Sequence, residues 1–299
     1  MFNKALVTGG TGFLGVNLVN SLVEKGWDVS VITRANSNLK LLSRNISNIQ
    51  ILEHDGSIES MRLIIDKSSP DVVFHLATHF LSQHSSKDID ELIESNIRFG
   101  CQLLEALTFN KSKNIINTGT YWQHYGDSAY SPVNLYSATK QAFENILRYY
   151  YELKNFKVIN LKLFDTYGPN DPRNKLFALL RNAYLEDKTI LMSPGEQLID
   201  LLYIEDVISG IIHSVDFFKE EKSFFSEFAL SSGNTISLRQ VVETYSKIFG
   251  KEIKVKWGGR EYKEREIMRP WSKGNNLPDW NPEFDLATGI RKMLDGENS

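Results

Sequence analysis

The chain has 299 residues, 41% of them hydrophobic and 24% charged, with a formal net charge of −3. That balance is too apolar for a disordered chain and supplies no basic field to draw nucleic acid or an anionic membrane. The single cysteine, Cys101, excludes an internal disulfide and a cysteine metal cluster.

KALVT reads as a first strand, entered almost at once with no charged leader ahead of an apolar core, so a cytoplasmic address is expected. The loop after it parses as G-x-G-x-x-G through Gly10, Gly12 and Gly15, or as G-x-x-G-x-x-G through Gly9, Gly12 and Gly15. With a strand before it and helical VNLVNSLVEKG after it, either parsing predicts a dinucleotide pyrophosphate at a helix N-terminus. The second strand, DVSVIT, ends at Thr33 and Arg34. No acid stands there to take adenosine ribose hydroxyls, whereas a guanidinium suits a 2′-phosphate, which favours NADP(H) over NAD.

NIQILE and DVVFHLA continue as strands, with SIESMRLIIDKS between them as a helix. DIDELIESNIRFGCQLLEALT reads as one long helix in which Cys101 is a small packed thiol. KNIINTG and FKVINLKLF are strands on either side of helical LYSATKQAFENILRYYYELK. Strand alternating with helix predicts an α/β fold, a Rossmann-type doubly wound parallel sheet. After residue 165 the pattern loosens. Residues 1–167 are read as the dinucleotide-binding domain and 168–299 mainly as a smaller substrate-binding lobe, some of whose segments return to the first domain. No apolar run reaches the roughly eighteen residues a membrane span needs.

The spacing Y-x-x-x-K occurs at Tyr136/Lys140, Tyr150/Lys154 and Tyr184/Lys188. On a helix such a pair shares one face, and a nearby ammonium together with a cationic nicotinamide is expected to lower the phenol from its ordinary value of about 10. Only Tyr136/Lys140 opens a helix directly after a strand and a hydroxyl-bearing segment, Thr118-Gly119-Thr120, at the edge where a nicotinamide would lie. The other two are read as surface or packing residues.

TGGTGFLG, HLA and YSATK together resemble the extended short-chain dehydrogenase/reductases, the nucleotide-sugar epimerase/dehydratase/reductase family. The resemblance implies a triad of Thr120, Tyr136 and Lys140. It also implies cofactor contacts at Phe13 and Leu14 beside the phosphates, Asp55 and Gly56 near adenine, Leu76 and Ala77 after the fourth strand, and Phe164 near nicotinamide. Asn96 corresponds to the helix asparagine near the active site, and Asp165 stands where many members carry a substrate-binding asparagine. Within the family, NTGTYW, LFDTYGPND, GEQLIDLLYIEDV and EREIM are most similar to the CDP-abequose and CDP-paratose synthases, which reduce the C4 ketone of a CDP-4-keto-dideoxyhexose with NADPH. Two departures stand out: Gln197-Leu198-Ile199-Asp200 has Ile199 where members often carry arginine, and the segment from Thr120 to Tyr136 is not the usual S-x-x-x-Y-G.

What the resemblance implies is therefore a 4-ketosugar reductase in deoxysugar biosynthesis. Tyr136 would be the proton donor, Thr120 a hydrogen-bond partner of the same oxygen, and Lys140 the ribose contact. A nucleotide-diphosphate sugar would bind in the later lobe, with Lys175, Gln197, Arg260 and Arg265 as candidate contacts, and the family's long helices imply a homodimer. Dehydration is disfavoured because no Asp-Glu pair follows the triad threonine. A 4-epimerase with tightly held NAD is the first alternative, and a non-catalytic dinucleotide-binding protein the second. His75, His79 and His84 lie close in sequence but lack a carboxylate at ligand spacing, so no metal is expected.

Overall fold

The computed structural model describes residues 2–219 and 222–297. In chain order the first half comprises β1 (Lys4–Thr8), α1 (Phe13–Glu24), β2 (Asp28–Thr33), β3 (Ile49–Glu53), α2 (Ile58–Ser68), β4 (Val72–His75), α3 (Ile89–Ile93), α4 (Phe99–Leu107), β5 (Asn114–Thr120) and α5 (Leu135–Lys154). Then follow β6 (Lys157–Leu163), β7 (Asp165–Tyr167), α6 (Leu176–Leu185), β8 (Ile190–Leu191), β9 (Leu198–Tyr203), α7 (Ile204–His213), β10 (Phe225–Leu230), β11 (Thr235–Ser237), α8 (Leu238–Phe249), β12 (Val255–Lys256) and α9 (Leu286–Glu297).

Seven strands form the main sheet in the order β3-β2-β1-β4-β5-β6-β10, and every pairing is parallel. Both faces are covered, which is why the strands read as nearly continuous apolar runs. Side-chain alternation divides them. Val7, Val31 and Phe74 face a core built with α1, α7, α8 and α9, whereas Leu6, Val73 and Ile115 face a second core with α2, α4 and α5. The order of strands reverses between β1 and β4, and ligands of open α/β sheets bind at such a reversal.

The chain after residue 167 divides between two places. β10 returns to the main sheet, its residues Phe225 to Leu230 pairing with Val158 to Leu163 of β6, and α7 packs on α1. β9 and β11 instead join β7, which ends at Tyr167, in a separate three-stranded sheet, and β8 pairs with β12. The long helix predicted over residues 88–108 is interrupted: α3 and α4 are joined by a π-helical turn, Glu94–Arg98. Such a turn carries one extra residue and is common at functional sites. Among the described residues no helix is long and apolar enough to cross a membrane.

Candidate active site

The carboxyl ends of β1, β2, β4, β5 and β6 open on one cleft of 1280 Å³. Its floor is the glycine loop, where each glycine has a different reason. Gly9 has φ +70°, and a Cβ there would stand 2.7 Å from the backbone N of Ala77, so it permits the loops after β1 and β4 to touch. A Cβ on Gly15 would overlap the Gly9 carbonyl. Gly12 differs: its φ is −82°, and a Cβ would meet only the Gly9 oxygen at 3.4 Å. Packing within the protein therefore does not require glycine at 12. A bare backbone there lines the cleft at the N-cap of α1, whose first turn has no side-chain cap and no acidic residue. That cradle fits a dinucleotide pyrophosphate.

Further around the cleft lie Phe13 and Leu14, then Arg34 at the end of β2, then Asp55 and Gly56, then Leu76 and Ala77. Among the described residues the exposed Arg34 side chain has no ion-pair partner. Ser57 N–H donates to Asp55 Oδ1 at 2.8 Å, and Gln102 Nε2 donates to the Gly56 carbonyl at 2.8 Å. Thr8 Oγ1 lies 2.9 Å from His75 Nδ1 and accepts from Ala77 N–H at 3.1 Å, tying the ends of β1 and β4 together. Burial holds the His75 imidazole down to about 3, with the Lys140 charge as the lesser cause.

Thr120 closes β5 and Tyr136 lies in the first turn of α5; both are buried side chains lining the cleft. Asn134 fixes that turn. Its Oδ1 accepts from Ser137 N–H at 3.0 Å, and its Nδ2 donates to the Leu81 and Ser82 carbonyls at 3.2 and 3.1 Å. Lys140 follows one turn later on the same face, 3% exposed. Asn96, carried by the π turn, accepts from Thr78 Oγ1 (3.0 Å) and His79 N–H (2.7 Å) and donates to the His79 carbonyl (3.1 Å) and Thr139 Oγ1 (2.9 Å). It clamps the loop after β4 to α5 without lining the cleft itself. Of the three tyrosine–lysine pairs, only Tyr136 reaches the cleft. Tyr150 donates to Glu105 Oε2 at 2.9 Å, and Tyr184 packs on Phe249.

The electrostatics differ from the expectation of a lowered phenol. Burial pushes Tyr136 up to about 12, outweighing the Thr78 hydrogen bond and the Arg173 charge that act the other way. Burial also pulls Lys140 down to about 8; the Glu144 carboxylate opposes that shift and Lys162 adds to it. The chain alone thus keeps Tyr136 as a phenol, a proton donor.

Phe164 stacks on Tyr121 at 4.7 Å between centroids, and Tyr121 donates to Asp165 Oδ2 at 2.8 Å. Phe80 meets Tyr136 edge-on at 4.9 Å, and Lys175 Nζ lies 5.5 Å from the Phe80 ring centroid. Arg173 sits 4.6 Å over Phe13, its guanidinium donating to Asp171. Asp165 also lines a second pocket of 140 Å³ with Gln197, Ile199 and Arg265. Arg265 donates to Ser131 Oγ at 2.7 Å and has a buried Nε without a partner among the described residues. Arg260 does not join them. Its backbone N–H is bonded to the Met192 carbonyl, which holds the exposed side chain beside β8 and β12, outside both cavities. Sequence reading missed Tyr121, Phe80, Thr78 and Arg173; only the adjacency of Tyr121 to Thr120 could have marked any of them. Among the described residues no three His, Cys, Asp or Glu gather to hold a metal, and His79 lies instead 3.5 Å from Glu91.

Comparison with known proteins bears on this arrangement. The family described as NAD dependent epimerase/dehydratase matches residues 5–224. The CDP-abequose synthase of Salmonella typhimurium is 26% identical over 97% of this chain and 96% of that protein. A UDP-glucuronate 4-epimerase of Thermodesulfobacterium geofontis is 25% identical over 97% and 94%. The UDP-glucuronic acid 4-epimerase of Bacillus cereus, solved with UDP-glucuronic acid and NAD, superposes with a TM-score of 0.85 at 24% identity, covering 99% of each chain. The chain belongs to the NAD dependent epimerase/dehydratase family and is an NAD(P)-dependent enzyme of the extended short-chain dehydrogenase/reductase type.

Proposed function

We propose that this enzyme uses NADPH to reduce the C4 ketone of a nucleotide-linked 4-keto-deoxyhexose, CDP-linked by preference, in deoxysugar biosynthesis for a surface polysaccharide such as O-antigen. The observation that carries the reading is Arg34: a guanidinium at the end of β2 with no ion-pair partner among the described residues, where no carboxylate follows the strand to compete for ribose hydroxyls. The near full-length similarity to CDP-abequose synthases supports the sugar class.

NADPH, when bound, supplies the hydride. Tyr136 donates its proton to the emerging alkoxide oxygen, and burial favours the protonated phenol needed at the start. Thr120 hydrogen-bonds the same oxygen and stabilises the developing charge. Lys140, one turn behind Tyr136 on the same face of α5, would hold the nicotinamide ribose. Asp165, Lys175, Gln197 and Arg265 bind the nucleotide-diphosphate sugar, while Ile199 contributes apolar surface. NADPH consumption against a panel of nucleotide-linked 4-ketosugars tests the reading; oxidation with none of them, under conditions where the cofactor binds, would overturn it.

A 4-epimerase is the second reading, favoured by the similarity to a UDP-glucuronate 4-epimerase. It requires NAD that stays bound through purification and turnover without added reductant, both visible in the ultraviolet spectrum and a product assay. We also infer a cytoplasmic homodimer formed through α3–α4 and α5, whose outer faces expose Ile93, Tyr149 and Leu153 at 42%, 51% and 64%. Sedimentation at micromolar concentration should give twice the chain mass; a monomer would remove the inference.

A further inference from the structure

Behind the reacting pair lies a row of charges that the mechanism above leaves unused. Tyr136, Lys140 and Glu144 follow one another at four-residue intervals on the inward face of α5, at 8%, 3% and 4% exposure. Opposite Glu144 stands Lys162, a fully buried lysine on β6 whose Nζ donates to Glu144 Oε1 and Oε2 at 2.8 and 2.6 Å. Beyond it, Glu227 of β10 lies 3.3 Å from the same ammonium, and its side chain is 37% exposed. The signs alternate along the row: Lys140, Glu144, Lys162, Glu227.

Room for this row is built into the sheet. A Cβ at Gly119, next to Thr120 on β5, would stand 2.6 Å from Glu144 Oε1 and 2.9 Å from Lys162 Cδ. An aliphatic pair would hold α5 on β6 as well as an ion pair does, because desolvation offsets most of the attraction between buried charges. Fold stability therefore gives no reason for charges here. Their position gives one. Among the described residues the charged groups that act on Lys140 are Glu144 of its own helix and Lys162 of β6 on the face beneath that helix, while His75 of β4, held neutral, lies within its field; Glu144 is the one carboxylate among them.

We propose that Glu144 is a positioning residue for the reaction: its carboxylate, anchored by Lys162, keeps Lys140 a cation at working pH. The inference rests on the reading of Lys140 as the partner of Tyr136. Its test follows the lysine itself and needs neither sugar nor turnover, so its failure is distinguishable from a wrong reaction. The ligand-free full chain, with lysines 13C-labelled at Cε, is titrated by NMR, and Lys140→Arg identifies the signal. Glu144→Gln should lower the Lys140 midpoint by about one pH unit or more, the usual effect of an opposite charge nearby, while Lys162→Arg should leave it in place. A folded Glu144→Gln protein with an unmoved midpoint overturns the proposal. Where that variant does not fold, the double variant Glu144→Gln/Lys162→Met removes both buried charges. Its Lys140 midpoint should still fall, by less, and an unchanged or raised midpoint is equally fatal.

Discussion

At the scale of single residues, Gly12 and Gly15 of the glycine loop make opposite predictions. Gly12→Ala has room within the protein and an ordinary φ, so its melting temperature should stay within a degree or two while cofactor affinity falls at least tenfold. Gly15→Ala drives a Cβ onto the Gly9 carbonyl and should unfold at distinctly lower temperature whether or not cofactor is present. Calorimetry with and without the dinucleotide separates the two. Tyr136→Phe keeps the ring and its packing on Phe80, so the fold should stand while kcat drops by about 10²–10⁴, the usual contribution of a positioned acid. Arg34→Ala should weaken NADPH by about 10–100-fold, the worth of a charge-assisted phosphate contact, and leave NADH nearly unchanged. Equal losses for both would mean that Arg34 does not read the 2′-phosphate. Activity should hold at neutral pH and decline above about 8, as Lys140 loses its proton while Tyr136, near 12, keeps its own.

At the scale of elements, local signals and distant partners part company. The glycine loop, the strand ends and the α5 N-terminus were all legible, because each is declared by neighbouring residues: glycines after KALVT, Asn134 three places before Ser137. The π turn was not. Its sequence, ESNIR, is ordinary helix, and the extra residue is held by Asn96 bonding to Thr78, His79 and Thr139 across 17 to 43 positions. Nor could sequence place Arg260, whose position depends on a backbone bond to Met192. Lys162 sits in an apolar strand, KVINLKL, where only its partners on α5 and β10 explain a lysine. Asn134→Ala should cost about 1 kcal/mol for the lost cap. It should cost more than that in total, because it also frees the Leu81 and Ser82 carbonyls; chemical denaturation measures the sum.

At the scale of the molecule, a cut after residue 167 would run through a shared structure. β10 covers the edge of β6, and Val207 and Ile211 of α7 join the core that also contains Leu18 and Val19 of α1. Residues 1–167 alone would present an open parallel edge and an uncovered apolar face. The fragment is expected to aggregate on gel filtration and to lack the near-ultraviolet dichroism of the full chain; a soluble, cofactor-binding fragment would show that 1–167 is autonomous. The return of β10 was the hardest large feature to read, since FSEFAL mixes polar and apolar residues as an edge strand does.

The wholly parallel main sheet also has a kinetic consequence. No two of its strands can meet through a tight hairpin: Ala5 waits for Val29, and Val158 for Phe225. Each pairing must close a long loop before it gains anything, which slows folding and leaves sticky intermediates exposed. Recovery from denaturant should therefore be slow and should yield less native protein as concentration rises.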